Sequence, residues 1–298
     1  MKILLTGSSG LIGQSLSTFL RSQGNEVVCL SRGRNDSGAY WCPEENEISI
    51  SRKHSIDAVI HLAGESIAGG RWTGRKKKLV LDSRVDGTKL LSDYFSKLDV
   101  KPKVFISGSA IGYYGDCGDE VVDENCPVGD QFLSDVCQQW EDATSSMRDV
   151  GIRVVNARLG IVLSLQGGAL KKMLLPFKLG LGGIVGSGRQ YMSWILLDDV
   201  TRMLNFILRE DSLTGPVNVV SPFPVRNADF TRLLGIALRR IAIFPIPSFI
   251  VKIVFGQMGD ELLLSSIRAS SNKVSSYGYR FFKPKLNKAL KWLMQNKA

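Results

Sequence analysis

Three glycines near the start of the chain have the spacing of a phosphate-binding turn. Gly7, Gly10 and Gly13 follow an apolar run at residues 2–6 and precede a helical pattern. Gly7 allows a tight turn, Gly10 lets backbone N–H groups approach a pyrophosphate, and Gly13 lets the helix pack against the strand. The helix N-terminus offers unpaired N–H donors and a positive dipole end to an anion, so the pattern predicts a dinucleotide site. Its predicted contacts in this turn are Gly7, Ser9, Gly10, Leu11, Ile12 and Gly13.

The end of the second predicted strand indicates which dinucleotide binds. NAD-binding folds place an acidic residue there to bind the ribose 2′-hydroxyl, whereas this chain has Ser31 and Arg32, with Arg34 nearby. A guanidinium attracts a 2′-phosphate, which a carboxylate would repel. We therefore predict NADP(H) as the cofactor. The alternative is that Arg32 is a solvated loop residue.

Two further strands end in small residues that a cofactor can approach. His61 is followed by Leu62, Ala63 and Gly64 at the carboxyl end of a central strand, where open α/β sheets bind their ligands. His61 is a candidate proton carrier, but a buried histidine is the favoured interpretation. The segment Ser107 to Ala110, which includes Ser109, ends the next strand, and a serine there is predicted to face the nicotinamide.

These candidate residues require a parallel sheet to bring the strand ends together. The first half of the chain alternates apolar runs with helical patterns. Strands are predicted at 2–6, 26–30, 57–62, 104–107 and 153–158, and helices at 11–23, 75–96 and 131–149. Such alternation predicts an α/β fold, a Rossmann-type doubly wound parallel sheet with right-handed crossovers.

The second half of the chain is less regular and rich in glycine and proline. A helix is predicted at 197–208 and a strand at 217–220. We predict an NADP-binding Rossmann domain at 1–165, with a returning segment at about 190–220. Residues 166–298 are predicted to form mostly a smaller lid or substrate subdomain, including a C-terminal extension at about 250–298.

Composition narrows the class of protein. The chain has 298 residues, of which 44% are hydrophobic and 22% charged, as in ordinary globular proteins. Its net charge is +10, but the basic cluster at residues 71–78 lacks interleaved aromatics, so we predict phosphate-bearing ligands rather than nucleic acid.

Cysteine usage and hydropathy bear on the compartment. Five cysteines, with neither a C-x-x-C pair nor zinc spacing, predict no metal site and a reducing, cytoplasmic location. The longest apolar stretch, 241–255, is short and contains Pro245 and Pro247, so we predict no membrane span or membrane partner. We expect no signal peptide, because the first strand begins at residue 2.

Taken in order, the motifs of this chain resemble those of the extended, epimerase-like short-chain dehydrogenase/reductases. The similarity is to the atypical "epimerase family" branch, which includes human short-chain dehydrogenase/reductase family 39U and its bacterial relatives. The segments that carry it are 6–13, 61–65, 70–72, 83–88, 107–115, 132–141, 158–163, 186–195 and 256–290. The resemblance covers essentially the whole chain and implies NADP(H) bound across the sheet. The remaining predicted cofactor contacts are Leu62, Ala63, Gly64, Arg84 and Ser107.

The usual proton-transfer residues of that superfamily are missing. Its members use a serine or threonine together with a tyrosine and a lysine four residues later on a helix, and the lysine lowers the pKa of the phenol. Ser109 matches the first of these. Aligning Glu141 to the family pattern puts Leu133 and Cys137 at the tyrosine and lysine positions. Tyr113 and Tyr114 are reserve proton donors, with packing around a turn as the alternative.

Two other pairs of polar residues are set aside. Tyr279 and Lys283 have the tyrosine–lysine spacing but lie in an extended aromatic stretch, which separates the two side chains. Asp198 and Asp199 are adjacent on a predicted helix and point in different directions, so we interpret them as capping residues.

Two functions fit these observations. The first is an NADP(H)-dependent, nucleoside-sugar-epimerase-like oxidoreductase acting on a small polar substrate with a nonstandard proton donor. The second is a cofactor-binding protein with little turnover and a regulatory or partner-binding role. The resemblance also implies that two copies can pair as a homodimer through the helices at 75–96 and 131–149.

Overall fold

The computed structural model describes residues 1–32, 39–51 and 55–296, so that Arg34 lies outside the described residues. The strands are β1 (Lys2–Thr6), β2 (Glu26–Arg32), β3 (Ala39–Cys42), β4 (Glu47–Ile50), β5 (Ala58–His61), β6 (Val104–Ala110), β7 (Val121–Val122), β8 (Arg153–Leu159), β9 (Ile161–Leu163), β10 (Tyr191–Met192), β11 (Trp194–Leu196), β12 (Gly215–Val219), β13 (Val225–Arg226) and β14 (Arg268–Ala269). The helices are α1 (Leu11–Ser22), α2 (Gly74–Ser96), α3 (Phe132–Asp142), α4 (Ser145–Asp149), α5 (Gly168–Lys178), α6 (Leu197–Arg209), α7 (Asn227–Leu238), α8 (Ser248–Phe255), α9 (Gln257–Gly259), α10 (Asn272–Ser276) and α11 (Leu286–Gln295).

Eight strands form the main sheet, in the order β12-β8-β6-β5-β1-β2-β3-β4. All neighbouring strands in it run parallel except β3 and β4, which are antiparallel. The chain winds outward from β1 in one direction to β2 and β3, and from β5 in the other to β6, β8 and β12. This reversal of strand order creates a crevice at the carboxyl ends of β1 and β5, which is where open α/β sheets bind ligands. The predicted α/β Rossmann-type architecture is confirmed.

Alternating strand residues build one core on each face of the sheet. In β1, Ile3 and Leu5 pack with Leu16 of α1 and with α6, whereas Leu4 packs with Phe95 of α2 on the opposite face. Leu4, Leu5 and Phe95 are fully buried. Both faces are therefore covered by helices, as an all-parallel sheet interior requires.

Two expectations about local structure are corrected. The predicted helix at 131–149 is two helices, α3 and α4, because the chain turns at Thr144, whose hydroxyl donates to the Glu141 carbonyl at 2.6 Å. The β3–β4 hairpin was not predicted. Its residues Ala39 and Trp41 are buried and alternate with less buried neighbours, a pattern of period two too short to stand out in the sequence.

The later part of the chain builds smaller sheets around a third core. β9 pairs with β11, β10 with β13, and β7 with β14. The third core includes Leu170 of α5, Phe230 of α7 and Leu290 of α11. β12 returns to the main sheet beside β8. The division into domains at residue 165 stays a prediction.

Candidate functional site

The turn after β1 has room only for glycine at two of its positions. Gly7 has a φ of +68°, and a Cβ there would lie 2.7 Å from the backbone of Leu62. A Cβ on Gly13 would lie 2.1 Å from the Gly7 carbonyl oxygen. The Gly10 amide donates to that same oxygen at 3.0 Å. β1, α1 and the end of β5 therefore approach each other closely enough that side chains are excluded.

The mouth of this turn is open and fits an anion. Gly10 is the N-cap of α1, with no side chain capping the helix, and both Ser9 and Gly10 are exposed. A Cβ on Gly10 would contact only the Gly7 oxygen, at 3.3 Å. The first-turn amides of α1, at Leu11 and Ile12, lack partners within the helix and are free to bind a phosphate. These residues therefore fit a dinucleotide pyrophosphate.

A buried threonine joins the two strands that flank the crevice. Thr6 Oγ1 accepts hydrogen bonds from the amides of Leu62 and Ala63, each at 3.2 Å, and lies 2.6 Å from His61 Nδ1. Because that oxygen already accepts two N–H groups, the hydroxyl hydrogen goes to His61 Nδ1. The predicted cofactor contacts Leu62 and Ala63 are thus held in place by the last residue of β1.

His61 is locked behind the crevice as a neutral imidazole. It is fully buried between Trp41 and Phe105, and its Nε2 has no partner among the described residues. Burial, with a smaller effect of the Arg84 charge, lowers the pKa of His61 to about 3. At neutral pH the His61 side chain is therefore uncharged and cannot act as an imidazolium acid. This agrees with its interpretation as a buried histidine.

The end of β2 presents positive charge beside the crevice. β2 extends two residues further than predicted, so that Ser31 and Arg32 pair in register with Tyr40 and Trp41 of β3. Arg32 is exposed and belongs to the strand, not to a loop. The positive charge of Arg32 interacts electrostatically with Glu65, which follows β5. A hydrogen bond from Lys76 is the main cause of the lowered pKa of Glu65, and the Arg32 charge adds to it.

Arg84 supplies a buried cation next to the small residues after β5. A Cβ on Gly64 would lie 3.3 Å from the Arg84 guanidinium carbon, and Arg84 Nη1 donates to the Glu65 carbonyl at 3.0 Å. The guanidinium also stacks on Trp140 of α3, 5.1 Å from the ring centre. Burial lowers the pKa of Arg84, while the nearby Cys137 and Glu65 favour its charged form. Arg84 therefore connects the end of β5 with α3.

Ser109 lies at the start of a buried polar network. Its Oγ donates to Glu141 Oε1 at 2.7 Å, and Glu141 accepts two hydrogen bonds from Arg158, each at 2.8 Å. Arg158 Nη1 donates to the Tyr114 hydroxyl at 3.0 Å, and that hydroxyl donates to Asn218 at 2.7 Å. Ser107, two residues earlier on β6, is buried and donates to the Gly108 carbonyl.

The helix that should carry the tyrosine and lysine has neither. Leu133 lies against Gly112, at a distance of 3.2 Å between its Cβ and a Cβ built on the glycine. Cys137 is fully buried beside Ser109 and Ala110, and burial raises the pKa of its thiol to about 11. Since a thiol with that pKa stays neutral near pH 7, α3 offers neither a phenol nor a charge at these two positions.

A residue far along the chain caps this helix. The Glu261 carboxylate accepts from the amides of Phe132 at 3.2 Å and of Leu133 at 2.9 Å, and Gln257 donates to it at 2.7 Å. Glu261 lies in a π-helical turn, Asp260–Leu264. Sequence reasoning missed this contact, as it missed the partnership of Glu141 and Arg158, because neither pair has a local spacing that marks it.

The two reserve tyrosines differ in their surroundings. Tyr114 is buried, and burial is the main cause of a strongly raised pKa of its hydroxyl. Tyr113 is only partly buried, and the Arg158 guanidinium stacks on its ring, 3.5 Å from the centre. Of the two, Tyr113 is therefore the better placed to exchange a proton with a ligand.

The aromatic stretch near the C-terminus has a structural role. The Tyr279 hydroxyl donates to the buried carboxylate of Asp199 at 3.0 Å, and the Phe282 amide donates to it at 2.8 Å. The Lys283 ammonium lies 4.5 Å from the centre of the Phe282 ring. Asp199, which we predicted to cap α6, instead fastens the C-terminal segment to it. Asp198 shares the first turn of α6.

Comparison with protein families identifies this arrangement. Residues 3–220 match the NAD dependent epimerase/dehydratase family, and residues 246–293 match a domain of unknown function, DUF1731. The chain belongs to the NAD-dependent epimerase/dehydratase family. The predicted resemblance to its epimerase-like short-chain dehydrogenase/reductase branch is thereby confirmed.

Relatives in this family match along their whole length. The epimerase family protein Mb2239 of Mycobacterium bovis is 41% identical over 290 residues, covering 97% of this chain and 96% of that protein. The human epimerase family protein SDR39U1 is 36% identical over 294 residues, covering 98% and 99%. A crystal structure of human SDR39U1 (isoform 2) with NADPH superposes with a TM-score of 0.90 at 35% identity, over 99% of this chain and all of that one.

Other solved structures share the fold of this chain. A nucleoside-diphosphate sugar epimerase from Corynebacterium glutamicum matches with a TM-score of 0.82 at 31% identity, covering 99% of this chain and 58% of that one. A Thermus thermophilus UDP-glucose 4-epimerase, in complex with NAD, has a TM-score of 0.77 at 17% identity. At that identity the likeness shows the fold alone.

Proposed function

We propose that this family member binds NADP(H) in the crevice between β1 and β5 and acts as an epimerase-like oxidoreductase on a small polar substrate. The observation that carries the cofactor choice is the exposed Arg32 at the end of β2, a strand whose last two residues, Ser31 and Arg32, are not acidic. A charged hydrogen bond to a 2′-phosphate contributes about 1.5–3 kcal/mol. The human relative crystallised with NADPH supports the same choice.

The residues that would hold the cofactor fall into three groups. The glycine turn would bind the pyrophosphate, the end of β2 would bind the 2′-phosphate, and the ends of β5 and β6 would line the crevice. They are Gly7, Ser9, Gly10, Leu11, Ile12, Gly13, Ser31, Arg32, Leu62, Ala63, Gly64, Arg84 and Ser107. When bound, the cofactor supplies a hydride donor or acceptor.

The chain's own residues suggest how chemistry proceeds without the tyrosine–lysine pair. Arg84 puts a cation beside Cys137, so it would replace the charge that the lysine supplies. In the structure the Ser109 hydroxyl donates to Glu141, so it would polarise a substrate carbonyl by turning that hydrogen towards the substrate. Tyr113, flanked by the Arg158 guanidinium, is our candidate for the proton donor.

A second candidate function is cofactor binding with little turnover. Leu133 cannot donate a proton, and the raised pKa of Cys137 keeps that thiol neutral. In this case NADP(H) would stabilise a surface for a partner. The cysteine pattern supports a cytoplasmic location for either function. A homodimer that pairs through α2 and α3 stays a prediction, which light scattering would test.

Titration calorimetry tests the cofactor assignment. We expect NADPH to bind wild type more tightly than NADH, and Arg32→Ala to lose about tenfold to a hundredfold in NADPH affinity while NADH affinity changes little. Arg209→Ala is the matched control, because Arg209 is exposed on α6 and bonds only to its neighbour Asn205 among the described residues. Equal affinities for the two cofactors in wild type would refute the assignment.

Steady-state kinetics separate the two candidate functions. We expect NADPH oxidation with carbonyl or sugar-nucleotide substrates to be slow, because Leu133 occupies the helix position of the usual tyrosine. A positioned proton donor contributes roughly 10²–10⁴-fold to the rate. Ser109→Ala should abolish the remaining turnover with little change in NADPH affinity. Tyr113→Phe should lower kcat and leave NADPH affinity unchanged. Turnover that is fast and insensitive to both changes would place the chemistry elsewhere.

A further inference from the structure

Exposed apolar side chains concentrate in two segments of the second half of the chain. Among the described residues, 20 large hydrophobic side chains are exposed, and 12 of them lie within 175–181 and 236–255. Ile241, Ile253 and Leu179 have relative exposures of 71%, 69% and 65%. Apolar patches on this scale mark surfaces that contact another phase or molecule.

The two segments form one continuous surface, which we call the apolar platform (residues 175–185 and 236–255). Arg240 Nε donates to the Lys178 carbonyl at 3.1 Å, and the Ile246 amide donates to the Ile184 carbonyl at 2.8 Å. α8 begins two residues after Ile246. The end of α5, the connecting segment between α7 and α8 (residues 239–247) and the helix α8 therefore share one face of the molecule.

α8 directs most of its apolar side chains outward. Val251 is buried against Gly259, at 2.7 Å from a Cβ built on that glycine. Phe249, Ile253 and Val254 of the same eight-residue helix are exposed. A helix that is apolar on its solvent side is characteristic of segments that lie in a membrane interface.

Positive charge surrounds these apolar side chains. Residues 168–183 and 230–259 contain seven Lys and Arg and no Asp or Glu. At the margins, Asp229 pairs with Arg232 and Asp260 pairs with Lys252. The remaining five have no carboxylate partner in the part of the chain that the structure describes, and all are exposed. Lys178, Arg239 and Arg240 belong to the platform, whereas Lys171 and Lys172 precede it on α5 and donate to the carbonyls of Gln166 and Ala68.

A groove in the platform combines the same two properties. It has a volume of about 450 Å³ and lies between α7 and the segment that follows it, residues 239–247. Ile236 and Ile243 line it together with the side chains of Arg232 and Arg239. Apolar walls next to guanidinium groups match the acyl region and the anionic headgroup of a phospholipid.

We propose that the apolar platform docks on an anionic lipid bilayer, with α8 lying in the plane of the interface. Apolar burial and attraction of cations to anionic lipid act together in such binding. This differs from the expectation of no membrane partner, which rested on the length needed to span a bilayer. No helix of the described residues is long and apolar enough to span one, and interfacial binding does not require that. A second copy of the chain is a poorer occupant of the platform. A two-fold interface buries the same surface on both copies, so it would bring together their uncompensated cations.

Vesicle co-sedimentation of the full chain tests this proposal. The vesicles are phosphatidylcholine alone, or an equal mixture of phosphatidylcholine and phosphatidylglycerol. We expect wild type to sediment with the mixed vesicles, to stay in solution with the neutral ones, and to be released at about 0.5 M salt. Phe249→Glu with Ile253→Glu should lower partitioning at least about tenfold, whereas Val100→Glu, at a position that is 74% exposed outside the platform, should leave it unchanged.

A charge-reversal pair makes the test independent of the apolar variant. Lys178→Glu with Arg239→Glu should lower partitioning by at least about tenfold, since each basic residue near an anionic surface contributes on the order of fivefold. The control is Lys89→Glu with Lys288→Glu, two exposed lysines outside the platform. NADPH affinity, measured on every variant, should stay at the wild-type value. Absence of sedimentation with mixed vesicles, equal sedimentation with both kinds, or conversion of an oligomer to a monomer by the Phe249–Ile253 variant would each overturn the proposal.

Discussion

The nucleotide end and the chemical end of the crevice are built differently. Between β1 and β5 the contacts are made by backbone atoms around Gly7 and Gly13, and the first amides of α1 remain available. Where β6 meets α3, polar side chains are already bonded to one another, from Ser109 through Glu141 to Arg158. The first end is prepared for a ligand, whereas the second holds a self-sufficient buried ion pair. The proposed cofactor binding would therefore rest mainly on backbone atoms and the proposed chemistry on side chains that are bonded to one another, with Arg84 contributing to both.

The largest effect should come from breaking the buried ion pair. Glu141→Gln leaves the buried Arg158 without its carboxylate, so we expect the free energy of unfolding to fall by about 3–5 kcal/mol in urea denaturation. NADPH affinity of the folded variant should change little, because Glu141 is not part of the nucleotide end.

The exposed pair on α7 provides the control for this change. Asp229→Asn removes the partner of Arg232, where both side chains are more than half exposed. We expect a loss of less than about 1 kcal/mol. Equal losses in the two variants would mean that the chemical end is not held by its buried charges.

A smaller effect should come from the glycine turn. Gly13→Ala forces a methyl group to within 2.1 Å of the Gly7 oxygen, so the turn must shift. We expect a loss of roughly 3 kcal/mol in stability, the upper end for overpacking, and at least about a hundredfold loss in NADPH affinity by calorimetry. Gly24→Ala is the control at the other end of α1. It has a φ of +77° but open space around it, so it should cost about 1 kcal/mol and leave NADPH affinity unchanged.

The smallest effect concerns His61, which joins the two strands at the nucleotide end. Its pKa is about 3 in the folded protein against 6.5 for the free side chain. Between these values the unfolded chain binds the proton and the folded chain does not, so stability present above pH 6.5 is lost as the pH falls towards 3. From pH 7 to pH 5 this contribution amounts to about 2 kcal/mol.

His61→Asn should remove this part of the pH dependence. The amide oxygen of asparagine can still accept from the Thr6 hydroxyl, while its side chain does not titrate. Urea denaturation of both proteins at pH 7 and pH 5 measures the difference in slope. If wild type and variant lost equal stability on acidification, the imidazole would not be buried as described.

The parts of the fold that the sequence predicts are those with a continuous local signal. The buried strands β1 and β5 are apolar runs followed by turn residues, and α2 begins and ends within one residue of its prediction. The β3–β4 hairpin escaped prediction because its short alternation of Ala39 and Trp41 is weak. Thr144 interrupts a helical pattern with a single side-chain hydrogen bond. A single hydrogen bond of this kind does not change the periodic pattern of apolar residues, so the sequence pattern does not reveal where the helix ends.

The candidate site divides in the same way. The glycine turn can be predicted from spacing along the chain, and the absence of the tyrosine–lysine pair follows from the resemblance to the family pattern. The bonds of Glu141 to Arg158, separated by 17 residues, and of Glu261 to Leu133, separated by 128, arise only when strands and helices pack. Arg84 could be assigned to the cofactor by resemblance, but its contact with Gly64 and the proximity of its charge to Cys137 required coordinates.

The capping of α3 by Glu261 predicts an order in which the protein assembles during synthesis. The residues of the nucleotide end leave the ribosome early, and β12 can close the main sheet soon after, since domains fold as their segments emerge. The first amides of α3 must wait for a carboxylate 129 positions downstream. Protease digestion of arrested nascent chains that stop just before or just after Glu261 should show α3 becoming resistant only in the longer one. A nascent chain would thus complete the proposed cofactor site before the proposed substrate side, and premature termination would leave the glycine turn intact beside a frayed α3.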